Sequence, residues 1–221
     1  MRFDEVVRRL QRLPDPLPQA PASLTPTLLA GSWPALGLEA SRSKHAAVLV
    51  LLVPDAAGDA IVILTERVVG GRYHSGEVSF PGGRADPGDA DVVATALRES
   101  AEEVGLDAGP AGVAVIGALD PVWIPVSGFR LTPVLAVAPV RPVLTPAPAE
   151  VSRILDAPLA AFLPGSEIRI VETLVADRRI RYGAYPIEDL LVWGATARVM
   201  GQLGAILTGS DSWRAGSARS G

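Results

Sequence analysis

Residues 46–53, Ala-Ala-Val-Leu-Val-Leu-Leu-Val, form an unbroken apolar run. The run is far too short for a membrane-spanning helix, which needs about 20 residues. A strand with one wet face alternates polar with apolar side chains, and this one does not. It therefore suits a strand covered on both faces. Asp55 to Asp59 supply a turn, and Ala60-Ile61-Val62-Ile63-Leu64-Thr65 form a returning strand. The pair reads as a central hairpin. The mixed order of strands and helices around it predicts an α+β fold, an α/β/α sandwich with a mixed β-sheet between helices.

Residues 2–13 carry Phe3, Val6, Val7, Leu10 and Leu13 at helical spacing. Residues 14–43 hold many prolines, which preclude regular helix, so 1–43 is expected to be a helix plus a Pro-rich arm. The arm either packs on a partner subunit in a homodimer or folds back on its own domain. Residues 44–208 are expected to form the main domain, and 209–221 a disordered Ser/Gly/Arg tail. Further strands are expected at 113–119, 131–137 and 179–185. Residues 150–162 are expected to be helical with a break at Pro158, and 193–207 to form a core helix.

The chain has no cysteine, which excludes disulfides, thiolate metal sites and a thiol nucleophile. Its net charge of −4 shows no footprint for nucleic acid. The N-terminus does not read as a signal peptide. A cytoplasmic protein with no membrane partner is the expectation.

Gly70-Gly71 and Pro81-Gly82-Gly83 mark loops, and Asp86-Pro87-Gly88-Asp89 marks a turn. Asp89 or Asp91 is placed to cap a helix beginning near Val92, which Gly105 would end. On that helix Val93, Leu97, Ser100 and Val104 fall on one side, and Glu99, Glu102 and Glu103 opposite. Like charges three and four residues apart repel, and the helix C-terminus disfavours anions. Taken alone, three glutamates on one face are more often a solvated surface. Held together, they would suit Mg²⁺ or Mn²⁺, which prefer oxygen ligands.

The segment Arg98-Glu99-Ser100-Ala101-Glu102-Glu103-Val104-Gly105-Leu106, following Gly82-Gly83 and a turn, resembles the core of the Nudix box. That core reads R-E-U-x-E-E-x-G-U, with U aliphatic. Ser100 departs from it. The upstream glutamate of the box would fall at Ala90, and the loop is one residue longer than usual. Asp86, Asp89 or Asp91 would have to supply that carboxylate, unless it is dispensable. The resemblance implies the Nudix fold and a loop–helix–loop unit that binds Mg²⁺ or Mn²⁺ to act on a diphosphate.

Leu64-Thr65-Glu66-Arg67 followed by Arg72-Tyr73-His74-Ser75-Gly76-Glu77-Val78-Ser79-Phe80-Pro81-Gly82-Gly83 resembles the extra signature of the coenzyme A diphosphatase branch. Residues 124–134 and Val192-Trp193-Gly194-Ala195-Thr196-Ala197-Arg198 are similar to the same branch. This implies hydrolysis of coenzyme A or its derivatives to 4′-phosphopantetheine and adenosine 3′,5′-bisphosphate. Other nucleoside diphosphate derivatives are the alternative, and a non-catalytic ligand-binding domain a further one.

On this resemblance Glu99 and Glu103 are metal ligands, and Glu102 is a third ligand or the base. Arg98 orients the carboxylates, and the backbone oxygen of Gly83 completes the shell. Arg67, Arg72, His74 and Gly82 are expected at the substrate. His74 has equal claim to ordering its loop. Glu150 is an additional candidate base, weighed against a plain helix-start role. Phe80 and Trp193 are expected in the core. Trp123 and Phe129 line either the core or a pocket.

Overall fold

The computed structural model describes residues 1–31, 44–68, 77–125, 127–175 and 178–209. Along the chain run α1 (Phe3–Leu10), β1 (Thr27–Leu28), β2 (Lys44–Pro54), β3 (Ala60–Arg67), β4 (Val78–Ser79), β5 (Gly82–Arg84) and α2 (Val92–Val104). There follow β6 (Ala114–Ala118), β7 (Val122–Ile124), β8 (Phe129–Val137) and β9 (Val151–Pro158). Last come β10 (Arg169–Val175), β11 (Arg178–Ile187), β12 (Leu190–Val192) and α3 (Gly194–Thr208). Single 3-10 turns sit at Ala22–Leu24 and Leu159–Phe162.

The apolar run is the central strand β2, and its alternate residues feed two cores. Val48, Val50 and Leu52 point into one, shared with α1, α3 and Phe162. Ala47, Leu49, Leu51 and Val53 point into the other, shared with Ala96 and Val104 of α2. Each such buried Val or Leu stabilises the fold by about 1.5–3 kcal/mol, so both faces need a helix. The result is the expected α/β/α sandwich around a mixed sheet. β2 pairs parallel with β8 and antiparallel with β3 and β5.

The hairpin of β2 and β3 splits. The two strands pair only from Leu52↔Val62 to Pro54↔Ala60. Asp55 Oδ1 closes the turn by accepting from the amides of Ala57 and Asp59, both at 2.8 Å. Beyond Leu52 the edge of β2 is taken by the Pro-Gly-Gly segment. Leu49 N donates to Pro81 O at 2.8 Å, and Ala46–Val48 face β5. This insertion brings Gly82 and Gly83 beside the first residues of β2.

The helix expected over 150–162 is not formed. β9 occupies most of it and pairs antiparallel with β3 from Val151 to Pro158. The residues sit at period two, with Val151, Leu155 and Ala157 inward. The open edge that β3 leaves by splitting from β2 is what recruits this segment as a strand. Glu150 accordingly lies in an exposed turn, not at a helix start.

The first 31 residues pack on this chain's own core. Val6, Leu10 and Leu24 are fully buried, and β1 pairs with β11. Phe80 is in the core as expected, whereas Trp193 is half-buried and stacks on Tyr182 at 4.4 Å between ring centroids. Trp123 and Phe129 are half-buried, and Lys44 Nζ lies 5.5 Å from the centre of the Phe129 ring. The tail from 210 onward lies outside the described residues. No helix among the described residues is long and apolar enough to cross a membrane.

Candidate active site

Helix α2 is delimited by its own sequence. Asp91 Oδ1 accepts from Ala94 N at 2.8 Å, satisfying a free amide of the first turn. Gly105 ends the helix in the left-handed conformation, φ 65°, which glycine adopts without the cost of a Cβ. The exposed carbonyls of the last turn are then met from outside. Thr145 N donates to Val104 O at 2.9 Å, and Ala147 N to Glu103 O at 2.8 Å. This docking places the Glu150 turn beside the end of the helix.

Arg98 is the hub of the site. Its Nε and Nη2 donate to Asp89 Oδ1 and Oδ2 at 2.9 and 3.0 Å. Its Nη1 donates to Glu99 Oε1 at 3.0 Å and to Glu102 Oε2 at 3.2 Å, and Nη2 also reaches Arg84 O at 3.1 Å. Of the three aspartates that the sequence left open, Asp89 is the one that pairs with Arg98. Asp91 caps the helix, and Asp86 Oδ1 accepts from Gly88 N within the turn. The Arg98 guanidinium, helped by the amide of Asp86, holds the Asp89 carboxyl well below the usual carboxylate range.

Glu99 lies against Gly83, where a Cβ would sit 2.3 Å from Glu99 Oε2. Any larger residue would displace that carboxylate. Burial raises the pKa of Glu99, against the pull of Arg98, and the charges of Glu102 and Glu150 raise it further. Glu103, which the helical wheel set opposite the core side, is buried. It is 2% exposed. Its Oε2 accepts from Gly82 N at 2.9 Å and its Oε1 from Arg67 Nη1 at 3.3 Å. Burial raises its pKa too, opposed by Gly82 and Arg67, with Glu150 and Glu99 adding to the rise. Glu102 is the open member, with its side chain 60% exposed. Ser100 is fully buried and donates to Ala96 O at 2.7 Å, so a hydroxyl replaces the aliphatic residue without leaving an unpaired group.

Arg67, expected at substrate phosphate, is thus engaged with Glu103. Arg72 and His74 lie outside the described residues. The sequence also gave no hint of the Arg84 carbonyl, because a backbone acceptor leaves no side-chain signature. A depression of about 360 Å³ lined by Arg84, Ala85, Asp86, Pro87, Arg98 and Glu99 opens beside the carboxylates.

Among the described residues no three acidic or histidine side chains are already gathered as a metal cluster. Arg98 draws Glu99 and Glu102 to itself, while Gly82 and Arg67 hold Glu103. The donor set nevertheless fits a hard divalent cation. It consists of carboxylate oxygens near the Gly82-Gly83 backbone, the hard oxygen donors such a cation takes.

Residues 43–154 match the NUDIX domain model. The chain belongs to the Nudix family. It is 39% identical over 165 residues to Nudix hydrolase 22, chloroplastic, of Arabidopsis thaliana, a match covering 72% of this chain and 54% of that protein. The chain thus spans about half the length of that plant relative. It is 35% identical over 162 residues to the Nudix hydrolase NudL of Photorhabdus laumondii, covering 73% of this chain and 84% of that protein. A crystal structure of a Nudix hydrolase from M. smegmatis, RenU, superposes with a TM-score of 0.48 at 18% identity, over 79% of this chain and 83% of that chain. Nudix hydrolases act on diphosphate-containing small molecules and generally use divalent metal ions.

Proposed function

We propose that this Nudix hydrolase cleaves the diphosphate of coenzyme A or its derivatives, giving 4′-phosphopantetheine and adenosine 3′,5′-bisphosphate. The observation that carries the hydrolytic part is Arg98 bridging Asp89, Glu99 and Glu102 while Gly82 and Arg67 hold Glu103. The coenzyme A part is supported by the signature running from Leu64 to Gly83.

Glu99, Glu103 and the Gly83 carbonyl oxygen would hold Mg²⁺ or Mn²⁺, leaving Glu102 for the water. Bound there, the ion supplies positive charge to the non-bridging phosphate oxygens. Arg98, fixed by Asp89, keeps Glu99 and Glu102 aimed at the same space. Water attacks one phosphorus, and the bridging P–O bond breaks toward the other phosphate. Glu102, the exposed member of the set, accepts the proton from that water. Glu150 is the second candidate for the proton, since its charge is felt by both Glu99 and Glu103.

A second reading keeps the chemistry and changes the substrate to a nucleotide sugar, a dinucleoside polyphosphate or a nucleoside triphosphate. The engagement of Arg67 with Glu103 favours it, because one arginine of the coenzyme A signature then serves the site instead of the ligand. Mass spectrometry of products from coenzyme A, ADP-ribose and dinucleoside polyphosphates, with and without Mg²⁺ or Mn²⁺, separates the two. Metal-dependent release of 4′-phosphopantetheine, lowered about 10²–10⁴-fold in Glu102→Gln, is the expected result. An inert coenzyme A beside a cleaved ADP-ribose would overturn the substrate.

A further inference from the structure

Arg198 of α3 is a half-buried cation that nothing among the described residues neutralises. A guanidinium carries five N–H donors. Among the described residues none of those of Arg198 forms a hydrogen bond, ion pair or ring contact, and no carboxylate acts on its charge. Arg67, Arg98 and Arg153, likewise half-buried, are each paired with carboxylates. The nearest candidate partner along its helix face is already taken. Gln202, one turn on from Arg198 and on the same face, donates to Asp120 Oδ2 at 2.8 Å and to Pro18 O at 3.1 Å.

The guanidinium is still open to solvent. Among the described residues the only buried side-chain polar atom without a partner is Tyr185 Oη. Arg198 lies near the start of α3. That end is tied to the catalytic end of the sheet. Thr196 Oγ1 donates to Val78 O at 3.0 Å. Val78 pairs with Glu66 of β3, whose next residue, Arg67, reaches Glu103. Arg198 therefore stands at the same end of the sheet as the carboxylates, on the helix layer opposite α2.

We propose that Arg198 is a substrate-binding residue that receives a phosphate monoester outside the scissile diphosphate. Resting on the function proposed above, that group is the ribose 3′-phosphate of coenzyme A. A planar, permanently charged fork suits phosphate oxygens, and a partly desolvated one binds them more strongly than a fully exposed lysine would. The cost of leaving this cation unpaired in the empty protein is returned when the anion arrives.

The test is calorimetric titration of the full chain and of Arg198→Gln with adenosine 3′,5′-bisphosphate, adenosine 5′-monophosphate and inorganic phosphate. Arg198→Lys and thermal melting serve as controls for folding. Wild type should bind the bisphosphate more tightly than the monophosphate. Arg198→Gln should lose about tenfold or more for the bisphosphate and less than about twofold for the monophosphate, with Arg198→Lys between. Equal losses for both nucleotides, no loss, or no saturable binding of the bisphosphate by wild type would each overturn the proposal. So would a drop in melting temperature with unchanged affinity, which marks an arginine that only packs its stem. Coenzyme A hydrolysis by the same preparations is scored separately. Phosphate discrimination without hydrolysis sinks the substrate and leaves Arg198 standing, and hydrolysis indifferent to Arg198→Gln does the reverse.

Discussion

Asp89 and Arg98 meet through two parallel hydrogen bonds, Nε to Oδ1 at 2.9 Å and Nη2 to Oδ2 at 3.0 Å. The carboxylate also accepts from Thr95 Oγ1 and from the amide of Asp86, each at 2.9 Å. A loop one residue longer than the Nudix pattern is thereby stapled to α2, and the arginine that donates to Glu99 and Glu102 is fixed from behind.

Asp89→Asn keeps the shape and removes the charge. Turnover should fall about 10–100-fold, the usual cost of removing a partner behind a metal-binding side chain. Steady-state kinetics should place the loss in kcat, with KM little changed, and Asp89→Glu should recover part of it. Wild-type turnover in Asp89→Asn would show that Arg98 is held adequately by Arg84 O alone.

Gly83→Ala puts a methyl group 2.3 Å from the unmoved Glu99 Oε2. The carboxylate must shift, and a displacement of about 1 Å costs about 10²-fold in rate. Melting temperature should change little, because Gly83 lies at the rim of the core. Activity and melting measured on one preparation check both halves.

Glu103 is buried and its pKa is raised. Between the ordinary carboxylate value and that raised value, the folded state binds more protons than the unfolded one. Stability of the metal-free protein is therefore lost as pH rises through this window and regained as pH falls. Metal-free Glu103→Gln lacks the penalty and should melt above wild type at neutral pH, the gap narrowing in acid. Adding Mn²⁺ should stabilise wild type and not the variant. Melting curves across pH, with and without metal, decide it.

Tyr185 is fully buried, its hydroxyl has no partner, and burial alone raises its pKa. Tyr185→Phe removes an unsatisfied group and should stabilise the protein by about 1 kcal/mol. At this chain length that raises the melting temperature by about 2–4 °C. A lower melting temperature would point to a water bound to the hydroxyl.

Several features were legible from neighbouring residues alone. The buried strand β2 followed from its apolar run. The end of α2 followed from Gly105 and its start from Asp89 or Asp91, of which Asp91 is the cap, because capping acts within a turn of chain. The order Arg98-Glu99 and Glu102-Glu103 identified the family before any contact was known. Residues 150–162 failed because Val, Ile and Leu there suit helix or strand, and the open edge of β3 made the choice.

What local sequence determined, then, is which segments are apolar on both faces, where helices start and stop, and which charges share a helix. Those effects are short-ranged. Only the tertiary structure decided that Glu103 is buried on Gly82 and Arg67, that Asp89 rather than Asp86 or Asp91 holds Arg98, and that Arg198 has no counter-charge among the described residues. Each of these is settled by groups brought from distant strands, because desolvation and charge pairing depend on what lies within a few ångströms in space.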